Sequence, residues 1–301
     1  MADTSSTDIW QDFECSATDG LMIRGRDYGS RVFDAMPVVC LPGLTRSVRD
    51  FDAIARRLST DEIRPRRVLS INNRGRGTSD YDPNWKNYNP ITEAQDVLSA
   101  ITAAGLEDVV LFGTSRGGII SMLLGSMRPA IIKGVVLHDI GPEIDGKGLL
   151  RIKSYVTRMP DPKSWQDAAD ILKTIHQGSF PNYSPEDWMK SARLTFGDKN
   201  GAPAVDYDRN LSKTLESISP DQPIPTMWPQ FMSLRSIPLL VIRGEISDLF
   251  SEKTLETMDR AHPTMQTVTV PQEGHVPNIM AENVLASLDG FLAGIDADHT
   301  H

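Results

Sequence analysis

Val109-Val110-Leu111-Phe112-Gly113-Thr114-Ser115-Arg116-Gly117-Gly118 is the stretch on which the reading of this chain turns. Four apolar residues of the kind that form a buried strand run directly into a serine with glycine two positions before it and two after. When a strand turns sharply into a helix, the backbone at the corner is strained. Bulky neighbours would collide there, glycines relieve the crowding, and the serine hydroxyl is pushed outward. The plainer alternative is a glycine-containing turn whose serine caps a helix. The surrounding chain has to decide between the two.

Short β-branched runs alternate with longer amphipathic segments along most of the sequence, the signature of a mainly parallel sheet covered by helices. An opening pair, 10–17 and 21–28, is joined by Thr18-Asp19-Gly20 and predicts an antiparallel edge. Further strands are predicted over 37–41, 68–71, 109–112, 132–137, 238–243 and 267–270, with helices over 50–58, 91–104, 116–127, 252–261 and 281–292. The rhythm breaks between about Gly141 and Phe231, a proline-rich stretch with helical segments at 149–158, 164–176 and 185–194 and no convincing buried strand. The expected organisation is a core domain of residues 1–140 and 233–301 interrupted by a helical cap of residues 141–232.

With 301 residues, 40% of them hydrophobic and 24% charged, the chain has the composition of a soluble globular enzyme rather than a disordered or membrane protein. No run approaches the ~20 consecutive apolar residues of a spanning helix. Residues 1–8 lack the basic and apolar regions of a signal peptide, which predicts a cytoplasmic protein with no membrane association. A formal charge of -9 argues against a nucleic-acid partner. The local basic run Arg56, Arg57, Arg64, Arg66 and Arg67 reads as a solvated face. Cys15 and Cys40 read as small buried hydrophobes.

A serine hydroxyl is essentially never ionised by itself at neutral pH, so Ser115 as nucleophile requires a base. Of six histidines, His275 lies in a glycine- and proline-framed loop after the last predicted strand, from which it can reach the carboxyl ends of the strands. His138 ends a strand and suits a core or supporting position. His176 and His262 end helices, and His299 and His301 lie in a polar tail. A carboxylate should orient the imidazole. Asp248, in the turn after strand 238–243, is the first choice and gives the chain order Ser115, Asp248, His275; Asp139 and Glu245 are the alternatives. Two backbone N–H groups should face the developing oxyanion. One is expected from Arg116 and the other from Leu44 in the loop Leu41-Pro42-Gly43-Leu44-Thr45-Arg46.

These segments, in this order, resemble the α/β-hydrolase superfamily, and the likeness covers nearly the whole chain outside the insertion. Asn73-Arg74-Gly75-Arg76-Gly77-Thr78-Ser79-Asp80 is similar to a loop common in its smaller bacterial members, and Leu137-His138-Asp139-Ile140-Gly141-Pro142-Glu143 to the lead-in to their cap. The resemblance implies an α/β fold with an eight-stranded, mostly parallel sheet flanked by helices, a helical cap over the site, and no cofactor or metal for members that use serine. Many relatives carry His-Gly where this chain has Pro42-Gly43, so that histidine's side chain contributes nothing here. A serine rather than an aspartate at the elbow disfavours dehalogenase and epoxide hydrolase chemistry.

The expected activity is hydrolysis of a small carboxylic ester or lactone through an acyl-enzyme. The alternatives are a carbon–carbon hydrolase acting on a ring-cleavage-type keto acid and, from another class, a low-turnover ligand-binding receptor. The Arg116 guanidinium either binds a substrate carboxylate or pairs with an acid such as Asp139 or Glu143. Met159, Trp165, Phe180, Tyr183 and Trp188 either line an acyl pocket or form the insertion's own core.

Overall fold

The computed structural model describes residues 9–299; residues 1–8 and 300–301, the tail position His301 among them, lie outside these. Eight strands form one sheet: β1 (Trp10–Ser16), β2 (Met22–Tyr28), β3 (Val38–Leu41), β4 (Val68–Ile71), β5 (Val109–Thr114), β6 (Ile132–His138), β9 (Leu239–Gly244) and β10 (Met265–Val270). Their order is β1-β2-β4-β3-β5-β6-β9-β10. Only β2 runs against the others, pairing antiparallel with both β1 and β4, and every other ladder is parallel. Residues of β3, β4, β5 and β9 are buried throughout, which is why these segments read as unbroken apolar runs instead of alternating ones.

Helices cover both faces. α1 (Asp52–Ser59) packs Ile54 and Leu58, with Phe51 just before it, against one face beside Val284, Leu288 and Phe291 from α9 (Glu282–Asp298). α2 (Pro90–Ala103), α3 (Arg116–Met127) and α8 (Glu252–Ala261) pack Val97, Ile101, Ile120, Leu124 and Met258 against the other. Each fully buried aliphatic side chain contributes roughly 1.5–3 kcal/mol of burial free energy. α2 starts where the sequence predicts because the Asn89 side chain accepts from the Ile91 and Thr92 N–H groups and Pro90 occupies the first turn.

Between β6 and β9 lie α4 (Gly146–Arg158), α5 (Trp165–His176), α6 (Pro185–Thr195), a two-stranded hairpin of β7 (Phe196–Lys199) and β8 (Ala202–Val205), and the short α7 (Trp228–Met232). The hairpin is an addition to the sequence reading. Its strands are short and only partly buried, so no apolar run announces them, although Asn200-Gly201 at its tip takes the positive φ values of a tight hairpin turn. Helix α9 also runs on to Asp298, past the expected end near 292. The basic run differs from a uniformly solvated face: Arg66 and Arg67 are buried and paired with Asp296 and Asp27.

β3 leads to β4 on one side while β5 lies on its other side. The strand order therefore reverses between β3 and β5, the place where open α/β sheets form a crevice beyond the carboxyl ends of their strands. The parallel register aligns Leu41 with Gly113, Thr114 with His138, and His138 with Ile242. Consequently the loops after β3, β5, β6 and β9 leave the sheet side by side.

Candidate active site

Ser115 stands between β5 and α3 with φ 49° and ψ -109°. This strained conformation for a residue with a side chain is held by its surroundings. Its N–H donates to His138 O at 3.0 Å, and its carbonyl accepts from Gly118 N at 2.9 Å. The flanking glycines are required by contact. A Cβ on Gly117 would sit 1.9 Å from Leu41 O, and one on Gly113 would sit 2.4 Å from Gly117 C.

His275, in the loop after β10, is buried and reaches both partners: Nε2 lies 3.0 Å from Ser115 Oγ and Nδ1 lies 2.8 Å from Asp139 Oδ2. Because a carboxylate only accepts, Nδ1–H donates to Asp139, leaving Nε2 free to accept from the serine. Asp139 is fully buried and further fixed by Gly244 N–H on Oδ1 at 2.8 Å and Ser247 Oγ on Oδ2 at 2.6 Å.

The carboxylate on His275 is thus Asp139, the alternative in the sequence reading, and not Asp248. Asp248 Oδ2 and Oδ1 accept from Arg151 Nε and Nη2 of α4 at 2.6 and 2.8 Å. Burial by itself would raise the Asp248 carboxyl, but the Arg151 hydrogen bonds and charge outweigh it and hold it below the ordinary carboxylate range. The physical reason is the tether. Asp139 directly follows β6, with φ 52° turning its side chain over the strand ends, whereas Asp248 stands several residues past β9 and faces a cation on the insertion. The chosen loop does contribute, through Ser247, the residue before Asp248. Glu245 is exposed and accepts from Gln272 N.

His138 braces the loop that carries His275. Its Nε2–H donates to Pro277 O at 2.8 Å, so Nδ1 of the neutral ring accepts from Thr114 Oγ1 at 3.0 Å. Burial pushes its pKa down to about 4. His262 is likewise buried, with Nε2–H donating to Leu234 O.

Gly43 and Leu44 line the same cavity as Ser115, and Arg116 opens α3. The Arg116 side chain pairs with neither Asp139 nor Glu143. Its Nε donates to Glu93 Oε2 at 2.6 Å and its Nη2 to Tyr88 O at 3.1 Å. Burial would raise the Glu93 carboxyl, and the charges of Arg116 and Arg76 reverse that and lower it, so Glu93 is ionised. Glu93 lies four residues before Val97, on the buried stripe of α2 with Ala94, Ala100 and Ile101, so a charged residue interrupting an apolar helical stripe is the sequence signal that this partner offered.

The cavity over Ser115 and His275 measures about 390 Å³ and is walled on the insertion side by residues including Val156, Leu172, Met159, Phe180, Tyr183 and Trp188. Four of the five residues in doubt from sequence therefore face it. They also belong to the insertion's own apolar cluster. Trp165 instead lies under the Arg193 guanidinium, 3.7 Å from its ring centroid. Among the described residues, no group of three or more His, Cys, Asp or Glu side chains could hold a metal ion, and no helix is long and apolar enough to cross a membrane.

A strand-order reversal, a strained serine and a buried His–Asp pair at the carboxyl edge of this sheet define a hydrolase of the α/β class. The chain belongs to the alpha/beta hydrolase fold family, whose model matches residues 36–281. It is 28% identical over 264 residues to a 3-hydroxybutyrate-oligomer hydrolase of Cupriavidus necator, covering 85% of this chain and 88% of that protein. It is 33% identical over 262 residues to an sn-1-specific diacylglycerol lipase of Mus musculus, covering 85% and 80%. The crystal structure of an alpha/beta hydrolase from Novosphingobium aromaticivorans matches it with a TM-score of 0.88 at 35% identity, covering 96% of this chain and 99% of that one.

Proposed function

We propose that this protein is a serine hydrolase of short carboxylic esters, acting through an acyl-enzyme on Ser115. The observation that carries this reading is the continuous hydrogen-bonded chain from Ser115 Oγ through His275 to Asp139. His275 Nε2 takes the hydroxyl proton as Oγ attacks the ester carbonyl carbon. Asp139 stabilises the imidazolium that forms. The Leu44 and Arg116 N–H groups hold the oxyanion, and Arg116 gains from its place at the positive end of α3. As the tetrahedral intermediate collapses, His275 returns the proton to the leaving alkoxide. Water then attacks the acyl-enzyme with His275 again as base, releasing the acid and restoring Ser115.

The insertion, residues 141–232, serves in this reading as a cap that shapes the acyl pocket. A cavity of about 390 Å³ is at the small end of ligand pockets, and its apolar walls suit a short aliphatic acyl group. The relative acting on 3-hydroxybutyrate oligomers makes short hydroxyacyl esters the first natural-type substrates to offer. A short-acyl nitrophenyl ester should give a burst of nitrophenolate stoichiometric with enzyme, abolished in Ser115→Ala. Binding without a burst, or full activity in that variant, would remove the assignment.

A further inference from the structure

Glu93 is a wholly buried carboxylate in α2, and the mechanism above leaves it without a task. Its Oε1 accepts from Arg76 Nη1 at 2.7 Å, and its Oε2 accepts from Arg116 Nε at 2.6 Å. Arg76, itself fully buried, donates from Nε to Leu44 O at 2.7 Å and from Nη1 to Arg74 O at 2.6 Å. One carboxylate is therefore linked through Arg76 to Leu44 and directly to the Arg116 side chain. These are the two residues whose N–H groups were assigned to the oxyanion.

We propose that Glu93 is a positioning residue for the oxyanion hole, clamping the Leu44 loop and the head of α3 at a fixed separation through Arg76 and Arg116. This rests on the serine-hydrolase reading. The need for a clamp is geometric. Oxyanion donors must sit about 2.7–3.1 Å from the developing charge, and while Arg116 stands on a helix, Leu44 is in a loop whose position no ladder hydrogen bond sets. The planar fork of Arg76 suits the task, because it can hold a carbonyl and a carboxylate at once in a way that a lysine ammonium cannot.

The sign of the effect separates positioning from charge. Two arginines on one glutamate leave a surplus positive charge beside the site. Glu93→Gln would increase that surplus, so a cluster acting only through its field would stabilise the oxyanion better and raise kcat. A clamp predicts the opposite.

The test compares Glu93→Gln and Arg76→Lys with wild type on a short nitrophenyl ester, counting competent sites by fluorophosphonate titration. Asp27→Asn, which breaks the buried pair with Arg67 elsewhere in the fold, controls for plain loss of stability. We expect kcat per titrated site to fall about ten- to a hundredfold in both clamp variants with KM within about twofold. Affinity for a boronate that mimics the tetrahedral intermediate should fall in proportion, and Asp27→Asn should lower only the melting temperature. Should Glu93→Gln fail to fold, Arg76→Lys, which preserves the charge, carries the test. A kcat per site within about twofold of wild type in the clamp variants, or a rise in Glu93→Gln, overturns the positioning role alone. A wild type with no burst removes the serine reading and the clamp together.

Discussion

Arg151 grips Asp248 with two parallel hydrogen bonds, Nε to Oδ2 at 2.6 Å and Nη2 to Oδ1 at 2.8 Å. The pair joins α4 of the insertion to the loop after β9. Asp139, meanwhile, holds His275 Nδ1 and accepts from Gly244 N–H and Ser247. The two aspartates should therefore respond differently to the same change. Asp139→Asn is expected to lower kcat by about 10⁴, as loss of the orienting carboxylate does in comparable sites. Asp248→Asn, which weakens a partly buried ion pair separate from the His275 Nδ1 hydrogen bond, should leave kcat within about tenfold and mainly loosen the insertion. Steady-state kinetics of the two variants, with limited proteolysis for the second, would check this; the reverse ranking would return the role to Asp248.

The elbow makes a prediction about stability. A methyl group on Gly117 would overlap Leu41 O, at 1.9 Å from its ideal position. Since that oxygen is backbone at the end of β3, relief requires moving α3 or the strand. Gly117→Ala should cost about 1–3 kcal/mol or more and displace Ser115 from His275, so both urea resistance and turnover fall. Wild-type turnover with an unchanged unfolding midpoint would contradict the packing described.

His138 should impose a pH dependence on stability. Its imidazole has an ordinary pKa of 6.5, lowered by burial in the fold to about 4. Between those values the unfolded chain binds more protons than the native one. The contribution is therefore complete above about pH 6.5 and is lost progressively as the pH falls toward 4. From pH 7 to pH 5 the loss attributable to this one group is about 2 kcal/mol. His176, lowered to about 3 by burial and by the Arg151 and Arg46 charges, adds to the slope in the same direction. Urea unfolding of wild type and His138→Gln at the two pH values isolates the His138 share. Glutamine can still donate to Pro277 O without titrating, so its loss on acidification should be smaller. Equal losses would exclude His138 as a source.

The central strands of the sheet were legible to within a residue or two because a parallel sheet buried on both faces writes itself as apolar runs. β4 and α3 fall where the sequence places them, and Ser115 and His275 meet as the elbow and the terminal loop suggest. The acid was not legible to the same degree. Asp139 and Asp248 both follow core strands, and nothing local in the chain reveals that Arg151, ninety-seven positions before Asp248, neutralises one of them.

The sequence by itself determined where the chain must turn and which candidate side chains gather at the carboxyl edge of the sheet. Those are consequences of local sterics and burial, such as the glycines around Ser115. Only the tertiary structure decided which carboxylate faces His275, that Arg116 turns inward to Glu93, and that Arg76 ties Leu44 to the same carboxylate. Such choices depend on charges brought together from distant segments, and a pairing of that kind has no energy until the fold excludes water from it.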